Sequence, residues 1–388
     1  MSLTPRERLN CAIEKKKPDR LPVTTHHILP AFLEDCLDGI RKKEFFKIFG
    51  LDPIVWIVPY MKNDNEEQYY DREQKELGFL EGRRVCTNNW NVRVRKLGDD
   101  QYDSMEYNFE TPDGILKMVY QANRYTAWIA DPLIKNKNDI HILEKYMPVP
   151  ICDVSAVNAA SEENRDEALV RGHCFAFQVG GQPGCWQDAC CLFGTEKMIM
   201  ATYDDPQWVH EFLKILLAKK LKYIESMKGA DFDILELGGG DASTTVISPR
   251  IFNTYAAPYD ADIITAAHRV GQKIVYHTCG GMMPILEDIL SMGPDAMETF
   301  TPPGMGGDTD LAEAKRRIGG KVCIIGGFDQ SKYFEYATEE ETRKAVRKCF
   351  QDAGEDGGYI LCPSDHFFRA KTELLYAYAD EARACVYS

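Results

Sequence analysis

The stretch Lys273-Ile-Val-Tyr-His277-Thr-Cys279-Gly-Gly281 is an apolar run that ends in an imidazole and a thiol two residues apart. Read as a strand, it puts His277 and Cys279 on one face and Thr278 on the other. The two glycines that follow allow a tight turn, which leaves the pair at a strand end within reach of a small ion or substrate. An imidazole nitrogen and a thiolate together make a zinc-type donor set. A buried cysteine beside a satisfied histidine has the same sequence, so the metal reading depends on what lies downstream.

Downstream, Asp295-Ala-Met-Glu298-Thr-Phe300 reads as the next strand, with a carboxylate among apolar residues that calls for a partner. Gly357-Gly-Tyr-Ile-Leu-Cys362-Pro-Ser-Asp365-His366 is another short apolar strand that ends in potential ligands. Helix-sized intervals separate these strands, and parallel strands of one barrel place such ends side by side. His277, Cys279, Glu298 and Cys362 are therefore the expected metal ligands. Pro363 right after Cys362 ends ladder pairing and invites a bend, so Asp365 and His366 stay open as alternatives for the last position.

The elements that must position these groups follow a βα rhythm. Thr4-Pro-Arg-Glu starts a helix, with a capping threonine and a proline in the first turn. Pro18 to Val23 leads into a first strand ending at His26 and His27, adjacent residues that face opposite ways, so at most one looks into a barrel mouth. Pro53 to Val58 is a second, fully apolar strand. Between about 80 and 125 the pattern alternates polar and apolar residues around turns such as Thr111-Pro-Asp-Gly114, predicting antiparallel hairpins, with Trp90 and Trp128 as packing or lid aromatics. Cys174 to Gly181 reads as the next strand, then Asp233 to Leu237, the His277 and Glu298 strands, Lys321 to Phe328 and Gly358 to Cys362. Glu236 and Asp241 lie at one strand end and are expected, with Asp365 and His366, to transfer protons. His26, His27 and Gly239 are expected to touch substrate, Gly239 through a tight loop that brings backbone close to a ligand. The expectation is a single (β/α)8 barrel, a TIM barrel, spanning 1–388 with an antiparallel β insertion after the second strand.

Composition narrows the function class. With 44% hydrophobic and 27% charged residues the chain can bury a large core. Its net charge of −14 argues against a nucleic-acid surface and disfavours a polyanionic substrate. Thirteen irregularly spaced cysteines, with no apolar leader at the start, predict reduced thiols in the cytoplasm. No run is long enough to span a bilayer.

Several stretches resemble the uroporphyrinogen decarboxylase superfamily: Arg6-Glu-Arg, Pro18-Asp-Arg-Leu-Pro-Val23, Thr111-Pro-Asp-Gly114, Ile247-Ser-Pro-Arg-Ile-Phe252, His277-Thr-Cys-Gly280, Gly307-Asp-Thr-Asp-Leu311 and Gly357-Gly-Tyr-Ile-Leu361. The resemblance implies a barrel, usually dimeric, with its site at the carboxyl ends of the strands. It is closer to the zinc methyltransferase branch, such as methylcobamide:coenzyme M methyltransferases, than to the decarboxylases. Decarboxylases of the superfamily carry an arginine-rich segment after the first strand that holds substrate carboxylates; here that place reads His26-His27-Ile-Leu-Pro. The methyltransferase branch uses His-x-Cys on the fifth strand, an acid on the sixth and a cysteine at the end of the eighth. Its usual register for that cysteine falls on Asp365, three residues after Cys362. The implied function is zinc-dependent methyl transfer between a corrinoid (cobalamin) protein and a small thiol, methoxy or methylamine compound. A tetrapyrrole decarboxylase and a non-catalytic barrel partner are the alternatives.

Overall fold

The computed structural model describes residues 2–25, 27–57, 67–69, 84–98, 101–176 and 182–387, with the backbone alone for 67–69 and 84–86. Its centre is a seven-stranded parallel sheet. In chain order the strands are β1 (Ile54–Trp56), then β8 (Leu169–His173), β9 (Ile234–Gly238), β10 (Ile274–His277), β11 (Ala296–Thr299), β12 (Cys323–Phe328) and β13 (Tyr359–Pro363), and each pairs with the next. Between β1 and β8 lie a short antiparallel pair, β2 (Glu67–Tyr69) and β3 (Arg84–Cys86), and a four-stranded antiparallel sheet: β4 (Asn91–Leu97), β5 (Asp103–Thr111), β6 (Gly114–Ala122) and β7 (Ala127–Asp131). Trp90 is buried in that sheet against Phe109, so it packs rather than covers a mouth.

Eight strands were expected and seven are hydrogen-bonded in the sheet. The segment expected as the first strand makes one parallel bridge, Val23 to Leu361 of β13, and Val23 O accepts from Asp52 N just before β1. The strand expected over Cys174 to Gly181 is a correction: the strand is Leu169–His173, and 177–181 lie outside the described residues. An arginine at its centre, Arg171, hid that strand from a search for apolar runs.

Side-chain alternation divides the sheet. Leu169, Ile234, Val275, Ala296, Cys323, Ile325, Ile360 and Cys362 form one buried cluster with Leu9, Ala12 and Ile13 of the helix Pro5–Ile13. That helix is held by a capping box at Thr4 and Glu7 and by Arg8, which pairs with the buried Asp52 at 2.6 Å. It packs on the face that carries Arg171, Glu236, His277 and Glu298 two residues further along the same strands. The opposite face packs on helices such as Pro206–Glu225 and Ala257–Arg269 in a second, larger core. Among the described residues no helix is long and apolar enough to cross a membrane.

Candidate functional site

At the carboxyl ends of β8 to β11 the shared face turns polar. The register sets His277 beside Glu298 on β11 and Gly238 on β9, and sets Glu236 beside His173 on β8. Ligand atoms of Glu236, His277 and Glu298 all lie within 4.8 Å of one another, and all three residues are buried. His277 Nδ1 is 2.7 Å from Glu298 Oε1 and its Nε2 is 3.0 Å from the half-buried Cys279 Sγ.

Arg171 supplies the matching charge. It donates to Glu298 Oε2 at 2.9 Å, to Glu236 Oε2 at 2.5 Å and also to Glu298 Oε1. Trp56 of β1 lies across it, ring centroid 4.5 Å from Cζ, and is flanked by His173 at 4.7 Å and by His27, stacked at 5.4 Å. Burial would raise the Glu236 carboxyl, but Arg171, His277 and His173 hold it below the usual carboxylate range. Burial likewise works against a charged His277; Cys279, Glu236 and the hydrogen bonds to Cys279 and Glu298 overcome it and hold the imidazole well above its ordinary value. His173, half-buried at the end of β8, is pushed down by desolvation.

The remaining expected residues are spread around this centre. Asp241 sits on the loop after β9, where Gln187 donates to it at 2.8 Å and Thr195 at 3.3 Å; burial raises its carboxyl against both bonds. Gly240 lies against Cys279: a Cβ at Gly240 would be 3.8 Å from Cys279 Cβ. The amides of Gly239, Gly240 and Asp241 donate to His277 O, Gln182 Oε1 and Gln187 Oε1, so this loop spends its N–H groups within the chain. A Cβ at Gly239 would meet the Gln187 side chain at 2.3 Å, which gives that glycine a packing reason. Cys362 is buried at the end of β13 in the apolar cluster and is not one of the three residues that converge. Asp365 and His366 lie past β13 and pair with each other at 2.8 Å. His26 lies outside the described residues. Trp56, Arg171 and His173 join this cluster without having been expected from the sequence; the period-two spacing of Arg171 and His173 after Leu169 is the signal that points to them.

The sequence profile of the family described as uroporphyrinogen decarboxylase (URO-D) matches residues 116–368, well over half of the chain and the whole of this site except His27 and Trp56. The chain belongs to the uroporphyrinogen decarboxylase family. Within it, the uroporphyrinogen decarboxylase of Hydrogenovibrio crunogenus is 26% identical over 169 residues, 42% of this chain and 45% of that protein. That of Colwellia psychrerythraea is 29% identical over 175 residues, 43% and 44% of the two. The chain thus spans less than half the length of these curated relatives. Among solved structures, a methyltransferase from Methanosarcina mazei aligns over 98% of both chains with a TM-score of 0.63 at 14% identity, a likeness of fold.

Proposed function

We propose that this member of the family is a zinc-dependent methyltransferase working with a corrinoid (cobalamin) protein, built on a single barrel domain in which the Val23 segment serves as the eighth stave. The observation that carries the reading is the pairing of His277 Nε2 with Cys279 Sγ at 3.0 Å, at a strand end and beside buried carboxylates. Two ligands of one tetrahedral zinc stand about 3.5 Å apart, from bonds of about 2.0 Å and about 2.3 Å, so this pair fits the ion with little movement. His277 and Cys279 would hold it, with Cys362 as the proposed third ligand. When bound, zinc supplies Lewis acidity, keeping a substrate thiol as thiolate or polarising a methoxy or amine heteroatom.

The chain's own groups do the rest. Glu298 receives the Nδ1 side of His277 and keeps Nε2 turned to Cys279. Trp56, His27 and His173 form an aromatic wall over Arg171, proposed to exclude water from a small substrate. Asp241, its carboxyl raised by burial against the bonds from Gln187 and Thr195, is proposed to relay a proton from the loop next to Cys279. The corrinoid protein is proposed to dock at the carboxyl ends of the strands, and the assembly to be a homodimer. Elemental analysis of purified protein is expected to give one zinc per chain, lost in His277→Ala and Cys279→Ser. Wild-type protein that contains no zinc and takes up none on reconstitution removes this reading.

A second reading, decarboxylation of a tetrapyrrole, is favoured by the names of the curated relatives. Against it stands Arg171, the one arginine in the strands of the parallel sheet, already matched by two carboxylates.

A further inference from the structure

His277 has two ring nitrogens, and the fold gives them different company. A count of donors would put a metal on the Nδ1 side, where Glu236, His277 and Glu298 converge. That side already contains a cation. Arg171 starts on β8 and reaches past β9 and β10 to Glu298 on β11, a span available through the interior of the curled sheet. Its guanidinium is 1% exposed, cannot be deprotonated in a protein, and is held under Trp56. Both Glu298 oxygens and Glu236 Oε2 accept its N–H groups, so three of the four carboxylate oxygens a metal would use already serve this cation. A divalent ion placed among them would sit beside a fixed positive charge where little water remains to screen it. The Nε2 side offers a cysteine sulfur, a half-buried position and a glycine loop.

We infer that the metal binds on the Nε2 side with Cys279, that Glu298 is not a ligand but takes the Nδ1 proton of His277, and that Arg171 is the positioning residue that fixes Glu298. This rests on the zinc reading above and deepens it, moving Glu298 out of the ligand set its sequence position suggests. Metal-bound histidines commonly give their other N–H to a carboxylate, and loss of that carboxylate costs about 10- to 100-fold in metal affinity rather than all of it.

The test uses full-length protein, zinc affinity by competition with a chromophoric chelator, and the 113Cd resonance of the cadmium-loaded form, which reports the donor atoms. Glu298→Gln and Arg171→Met are expected to weaken zinc binding about 10- to 100-fold while the cadmium resonance stays within the range of the wild-type donor set. Arg171→Lys keeps the charge without the fork and is expected to recover part of the affinity; it also decides the matter, together with Glu298→Gln, if Arg171→Met does not fold. A cadmium shift in Glu298→Gln that reports a lost oxygen donor overturns the inference, as does tighter zinc binding by Arg171→Met or an unchanged affinity in Glu298→Gln. Wild-type protein that binds neither metal overturns the zinc reading and this inference with it.

Discussion

The buried charges of Arg171, Glu236, Glu298, Lys220 and Asp188 are matched in ion pairs, and Asp260 shows what an incomplete match costs. It is 1% exposed, accepts from Cys185 N at 3.1 Å and from the Tyr276 hydroxyl at 3.0 Å, and faces Lys220, which is committed to Asp188 at 2.5 Å. Burial lifts its carboxyl to about 6, against the bonds from Cys185 and Tyr276. A carboxyl raised in the folded state binds its proton there more tightly than in the unfolded chain. Its stabilising contribution is therefore complete below about pH 4 and is lost as pH rises through 6, by about 3 kcal/mol in all. Asp260→Asn keeps the shape and removes the titration. Urea unfolding at pH 4 and pH 7 is expected to show the variant gaining about 3 kcal/mol on the wild type between the two; parallel pH profiles would contradict it. Tyr276 precedes His277 in β10, so this network on the helix-facing side also braces the strand that carries the site.

Strand ends come close enough to share side chains because glycines let them. Gly238 closes β9 with φ +103°, and a Cβ there would lie 2.4 Å from the carbonyl oxygen of His277. Backbone is the obstacle, so it cannot swing aside. Gly238→Ala is expected to destabilise by about 2 kcal/mol or more and to disturb His277. Gly271→Ala is the control, since φ there is +87° but nothing lies within 4 Å; its cost is expected to be the backbone part alone, about 1 kcal/mol. Equal losses in the two variants, read from denaturant midpoints, would show that the contact with His277 O contributes nothing. The three N–H groups after Gly238 are used inside the chain, which turns a loop that looks like an anion cradle into a rigid support for Cys279.

For the whole molecule, charge bears on the choice between the two proposed activities. The chain carries −14 overall, and the strands of its parallel sheet contribute one arginine, bound to Glu236 and Glu298. A substrate that presents many carboxylates would meet buried acids with no spare cation among these strand residues. Incubation with uroporphyrinogen is expected to yield no coproporphyrinogen; turnover at the rate of a biosynthetic enzyme would reverse the choice between methyl transfer and decarboxylation.

Local pattern determined much of this protein. The apolar strands β9 to β13, the helix-sized intervals between them and the antiparallel hairpins around Thr111-Pro-Asp-Gly114 were legible because period-two alternation, turn residues and run length act over a few residues. His277 and Cys279 were legible for the same reason, since their shared face follows from their spacing. Arg171 was not, and neither was strand β8 around it. A charge in the middle of a core strand is tolerable only when distant groups neutralise it, and its partners lie 65 and 127 residues away. Tertiary structure alone decided that Glu298 answers to Arg171 and His277 at once, that Cys362 sits among apolar neighbours, and that Asp365 turns to His366. Each depends on which strands lie side by side and how far they are staggered, and that is settled by packing across the whole sheet rather than by any one segment.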